Sequence, residues 1–170
     1  MSMILQFRML SDENDNFVRD YEVMYDMTLL DFHRFILESL DYEDCMASFF
    51  TADSHWQPLR EFTSLDMGAP DGEDAPVPME KVLVAQVIRN NRDRLVYQFD
   101  MISERAYYLE LTGAKEADPH FEYPRVAFEN APAPDQFDPD AVGADEGSIF
   151  EEMMGDFNEF DGDDNYDDEY

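Results

Sequence analysis

The chain has 170 residues, with 41 acidic side chains against 11 basic ones, a formal net charge of -30 and an isoelectric point near 4.1. A field of that sign repels nucleic acids and anionic membranes and attracts basic surfaces, so direct binding to DNA, RNA or an acidic bilayer is excluded as the working mode. The single cysteine, Cys45, excludes an intramolecular disulfide and a cysteine-based zinc cluster. The N-terminal residues show no basic segment leading into an apolar one, which points to the cytoplasm.

Ile4 to Leu10 alternates apolar and polar residues as a strand does, and Phe17 to Tyr25 reads as a second strand. The polar cluster from Ser11 to Asn16 makes the pair a β-hairpin. Thr28-Leu29-Leu30-Asp31 has the form of a capped helix start, and Leu29, Phe32, Phe35, Ile36 and Leu40 recur behind it at helical spacing. That helix is expected to lay one face on the sheet. Ala47 to Ala52 predicts a third strand, while Trp56 to Phe62 carries no decisive pattern. Gly68, Pro70, Gly72, Pro76 and Pro78 make Asp66 to Pro78 an exposed loop. Met79 to Asn90, with Val82, Leu83, Val87 and Ile88, predicts a short helix, and the turn at Asn90 to Asp93 leads into paired strands at Arg94 to Met101 and Arg105 to Thr112. The expected fold is an α+β domain over residues 1–128, a small mixed or antiparallel sheet with one main packing helix.

The composition then changes. Arg125 is the last basic residue, and 16 Asp or Glu lie between Glu129 and Tyr170, so roughly half of the net charge sits in the last quarter of the chain. Pro132, Pro134 and Pro139 punctuate a stretch from 129 to 147 that lacks the apolar content to pack, which predicts a disordered linker. Residues 148–170 form an acidic tail with a different signature. Ser148-Ile149-Phe150-Glu151 is a capping-box pattern, and Ile149, Phe150, Met153, Met154, Phe157 and Phe160 fall on one helical face opposite Glu151, Glu152, Asp156 and Glu159. A lone helix of about 12 residues is marginal in water, so this one is expected to form only against a surface.

The remaining candidates for chemistry are weak. His33, His55 and His120 share no spacing that would converge them on a metal. Cys45 stands between Asp44 and Met46, and the acidic neighbour disfavours the thiolate that a nucleophile requires. Asp161, Asp163 and Asn165 copy the first three ligand positions of a calcium loop, but Tyr166 occupies the glycine position and the chain stops before the twelfth-position Glu. No phosphate-cradling loop, nucleophile elbow or zinc-protease helix is present. No enzymatic activity, metal or cofactor is therefore expected.

From Thr28-Leu29-Leu30-Asp31-Phe32-His33 onward the chain resembles the Ri-plasmid ORF-3-like family, also labelled insertion-element passenger TnpR-like proteins. In that family a hairpin precedes a helix that opens in this way. Leu95-Val96-Tyr97-Gln98-Phe99-Asp100 is similar to the family's Tyr-x-Phe-Asp strand, and Tyr123-Pro124-Arg125 with Ala131-Pro132-Ala133-Pro134 continues the likeness. Many members follow the strand with Gly-Asp-x-Trp and a His, where this chain has Met101-Ile102-Ser103-Glu104-Arg105. The resemblance covers roughly residues 1–136 and implies a compact α+β fold of grasp-like type; the acidic tail lies beyond it.

Together these features predict a non-enzymatic interaction protein that docks on a basic, nucleic-acid-handling partner such as RNA polymerase, the ribosome or a DNA-binding protein, as an accessory factor or a nucleic-acid mimic. Phe150, Met153, Met154, Phe157 and Phe160 would supply the desolvated contact. Glu151, Glu152, Asp156, Glu159, Asp161, Asp163 and Asp164 would supply long-range attraction. The alternative is a small-ligand-binding or enzymatic α+β domain with a solubilising tail.

Overall fold

The computed structural model describes residues 3–64 and 76–137. Eight strands form one sheet: β1 (Met3–Ser11), β2 (Val18–Met24), β3 (Ser48–Ala52), β4 (Pro58–Thr63), β5 (Val77–Pro78), β6 (Arg94–Asp100), β7 (Arg105–Glu116) and β8 (Arg125–Asn130). Their order is β5-β4-β3-β6-β7-β1-β2-β8, antiparallel at every pair except β4 with β5. The sheet is therefore larger than the small one expected. Its centre is antiparallel throughout, with β1 lying between β7 and β2, which departs from a grasp-like arrangement.

The helix α1 (Leu29–Leu40) begins where the sequence places it. Thr28 Oγ1 accepts from the Asp31 backbone N–H at 3.0 Å, satisfying one of the amides that a helix start leaves unpaired. The helix ends at Asp41, which adopts a left-handed conformation with φ 59°. Leu29, Phe32, Ile36 and Leu40 are buried against the sheet face that carries Leu5, Phe7, Met9, Tyr21, Val23, Tyr97, Tyr107 and Leu109. Phe32 sits at the centre, 5.3 Å from the Phe7 ring and 5.5 Å from the Phe49 ring. Complete burial of such a ring contributes about 2–3 kcal/mol.

The sheet dominates the fold, and the short helix expected over Met79 to Asn90 does not form. Met79 to Asn90 is not continuous helix but a 3-10 turn at Met79–Lys81 and a single turn, α2 (Val84–Val87), separated by extended Val82 and Leu83. The break has a cause outside the segment. The loop before α1 claims its backbone: Leu29 N–H donates to Val82 O at 2.9 Å, Val84 N–H to Met27 O at 2.9 Å and Ala85 N–H to Tyr25 O at 3.1 Å. Four β-branched residues, Val82, Val84, Val87 and Ile88, offered little helix propensity to oppose that.

The other departure is at the C-terminal side. Glu129 and Asn130, read as the start of the linker, instead complete β8, which pairs with β2. The chain divides after Pro134, and the unit that carries the sheet spans Met1–Pro134. Buried Arg19 explains why the first unit extends so far: its Nη1 donates to the carbonyls of Asn130 at 3.1 Å and Ala131 at 2.9 Å. Tyr107 O–H donates to the Tyr42 hydroxyl, whose own proton goes to Pro134 O at 2.5 Å. No helix among the described residues is long and apolar enough to cross a membrane.

Candidate functional site

The tail residues expected to contact a partner, Phe150, Met153, Met154, Phe157, Phe160, Glu151, Glu152, Asp156, Glu159, Asp161, Asp163 and Asp164, lie outside the described residues, as does most of the predicted loop at 66–78. What the structure does place is a cleft of about 430 Å³ beside α1. Leu30, His33 and Arg34 of α1 form one wall, Asp44, Cys45 and Met46 of the following loop another, and Ser64 and Glu80 complete the rim.

His33 lies at the floor, only 2% exposed, with Nδ1 2.7 Å from the Tyr97 hydroxyl and Nε2 4.0 Å from Asp44 Oδ1. Burial lowers its pKa; Asp44 and the Cys45 backbone act against that, and Arg34 reinforces it. Burial also holds the Tyr97 phenol well above its ordinary range, so it keeps its proton. At neutral pH this is a neutral pair joining α1 to β6, with its hydrogen-bonding capacity directed to structure. Cys45 donates from Sγ to Phe99 O at 3.6 Å, an arrangement of the thiol and not of a thiolate. His55 is exposed, and His120, also exposed, places Nδ1 3.0 Å from Asp118 Oδ1. Among the described residues no three His, Cys, Asp or Glu side chains converge as metal ligands. The cleft has the volume of a small-molecule site, with one guanidinium and two carboxylates at its edge.

The basic side chains are largely neutralised within the fold. Arg8 pairs with Asp20, Arg19 with Glu129, Arg34 with Asp31, Arg94 with Glu110, Arg105 with Glu13 and Asp100, and Lys115 and Arg125 both with Glu22. Seven of the eleven basic residues are thus committed to carboxylates of the same chain. Glu22 shows how firmly. Burial works to raise its pKa, yet hydrogen bonds from Lys115, Arg125 and Gln6 outweigh that and lower it. Gly113 makes room for this cluster, since a Cβ there would stand 2.8 Å from Gln6 Oε1. The pairing of residues so distant in sequence carries no local signal; charge alternation along β1 and β2 hints only at the Arg8–Asp20 pair.

The fold agrees with what the comparisons find. The chain belongs to the plasmid pRiA4b ORF-3-like protein family, whose model matches residues 4–159. That span passes residue 136, where the recognisable motifs end, and takes in Phe150, Met153, Met154 and Phe157. The chain is also similar in structure to MM3350, a protein of unknown function from Methanosarcina mazei Go1, with a TM-score of 0.64 and 20% identity, over 100% of this chain and 94% of that one. At that identity the likeness speaks to the fold. No curated protein gives a significant sequence match.

Proposed function

We propose that the protein is a non-enzymatic acidic interaction protein that docks on a basic surface of the nucleic-acid machinery, as an accessory factor or as a mimic of nucleic acid. The observation that carries this is the internal commitment of the basic side chains: with seven of eleven tied to carboxylates, the surplus of acid behind the net charge of -30 is what approaching molecules meet. The apolar face of Phe150, Met153, Met154, Phe157 and Phe160 supplies the anchor that charge alone does not. A mimic competes with nucleic acid for the partner, whereas an accessory factor binds beside it.

The test is affinity purification from the native cell with the full-length chain and with a chain ended after Pro134, each washed at low and high salt. The cut is placed there because Ala131 to Pro134 belong to the folded unit. A basic partner retained by the full-length chain, lost on truncation and lost in the Phe157→Ala/Phe160→Ala variant supports the reading. Equal retention by all three chains overturns it. The cleft over His33 favours a second reading, a small-ligand domain, which binding of a fragment by the truncated chain and loss of that binding in Asp44→Asn would support.

A further inference from the structure

Charge is unevenly distributed between the two ends of the sheet. Four segments meet at one end: the β1–β2 turn (12–17), the loop after α1 (41–47), the β6–β7 turn (101–104) and the strap after β8 (131–134). Contacts tie them together. Arg105 at the start of β7 donates to both Glu13 oxygens at 2.8 Å, Asn130 Nδ2 donates to Asn16 O at 2.7 Å, Cys45 meets Phe99 at the end of β6, and Tyr42 holds Pro134. None of the four segments contains Lys or Arg. Asp12, Asp15, Asp41, Glu43, Asp44 and Glu104 are all exposed there.

Exposed apolar side chains lie among these carboxylates. Ile102 is 65% exposed, Met46 44%, Leu10 42% and Met101 40%. The Met101–Ile102 tip is a fixed feature: Asp100 Oδ1 accepts from the backbone N–H groups of Ile102 at 3.2 Å and Ser103 at 3.1 Å, and Glu104 turns the chain with φ 56°. Rigid apolar residues inside a rim of one charge form the composition of a contact surface. The apolar centre carries affinity, and the rim sets the rate of encounter and the sign of the partner.

We infer that this acidic end of the folded unit, centred on Met101 and Ile102, is a second contact surface for a basic protein partner. The inference rests on the docking reading above and adds to it a place on the folded unit. Charge complementarity selects a basic protein over a second copy of this chain, which would bring like charges together. Pro134, the last residue of the folded unit, lies at the same end, so a partner held by the residues that follow meets this surface at high effective concentration.

The experiment uses the full-length chain and the partner it recovers, purified, with affinity measured by calorimetry. Met101→Ser/Ile102→Ser and Asp15→Lys/Glu104→Lys are each expected to weaken binding at least ~10-fold. Asp26→Lys/Glu122→Lys, which changes the charge equally at exposed positions of the opposite end, is expected to cost less than ~2-fold. A photo-crosslinking residue at position 102 should capture the partner, and one at position 122 should not. Equal losses for the two charge-reversed pairs would reduce the effect to net charge and overturn the inference, as would wild-type affinity in Met101→Ser/Ile102→Ser or crosslinking at 122 but not at 102. Recovery of no partner by the full-length chain sinks the docking reading and this surface together, whereas a partner indifferent to the acidic-end variants sinks this surface alone.

Discussion

The two ends of the sheet use the same residue types for different purposes. At the end formed by the turns at 53–57, 89–93 and 117–124, aspartates serve their own backbone. Asp53 Oδ1 accepts from the His55 and Gln57 amides at 2.8 and 3.0 Å, Asp93 Oδ2 from those of Arg89 and Asn90 at 3.0 Å, and Asp118 Oδ1 from that of His120 at 2.9 Å. Such hydrogen bonds to the charged form hold the Asp53 and Asp118 carboxyls below their usual range. At the other end Asp100 closes its turn similarly, but Asp15, Asp41, Asp44 and Glu104 stand exposed around it. The first arrangement spends carboxylates on local order; the second accumulates them as a field, with Arg105 at its base. A domain that needed only solubility has no reason to polarise itself along the strand axis.

The largest expected effect is at that arginine. Arg105 is 8% exposed, chelates Glu13 and stands 3.8 Å from Asp100. Replacement by Met would leave two carboxylates facing each other inside an already acidic end. Removing one partner of a fully buried pair costs about 3–5 kcal/mol; Glu13 keeps part of its surface in water, so about 2–3 kcal/mol is expected. Urea midpoints measure it. Arg89→Met, at the exposed turn of the opposite end, should stay within about 0.5 kcal/mol, and comparable losses for both would erase the distinction between the ends.

His33, beneath the loop of the acidic end, gives the next test. Its folded pKa lies below the ~6.5 of a free imidazole, so between those values the unfolded chain holds the proton that the folded chain refuses. The stability contributed by the neutral ring is therefore complete above ~6.5 and is lost as pH falls from there towards the folded pKa. His33→Gln should lower stability at neutral pH and flatten the decline below pH ~6.5 in denaturation curves taken across the pH range. An unchanged slope would mean that the ring is solvated in the folded chain.

What was legible in the sequence depended on whether its cause was local. Thr28, Asp31 and the run Leu29, Phe32, Ile36, Leu40 specify a helix through contacts within two turns, and α1 appears with that cap and that face. The two hairpins were equally local. Val82 and Val84 were not, because their partners, Leu29 and Met27, lie more than fifty residues away, and a helical period carries no trace of a backbone bond to another segment. β8 was hidden for a related reason. Its side chains are mostly exposed, so no alternation marks it, and it is held by pairing with β2 and by the buried Arg19. The cleft residues were individually visible, but the Tyr97 partner of His33 is 64 residues distant. The acidic end escaped because its carboxylates come from separate short runs, none denser than the tail that drew attention away from them.

The smallest effects give the sharpest form of the comparison, because they are expected to differ in sign. Asp93→Ala removes the acceptor for two turn amides and should destabilise by about 1 kcal/mol, with little dependence on salt. Asp15→Asn keeps a turn-compatible side chain and removes one charge from the crowded end, so it should stabilise by a few tenths of a kcal/mol. That gain arises from repulsion between solvent-exposed groups, and it should shrink as ionic strength rises from 0.01 to 1 M and the screening length contracts from roughly 30 to 3 Å. Chemical denaturation with urea, which leaves ionic strength unchanged, resolves both variants across that range. A stabilisation by Asp15→Asn that persists at high salt would trace to turn geometry, and the crowding of charge at that end would then have no energetic consequence for the fold.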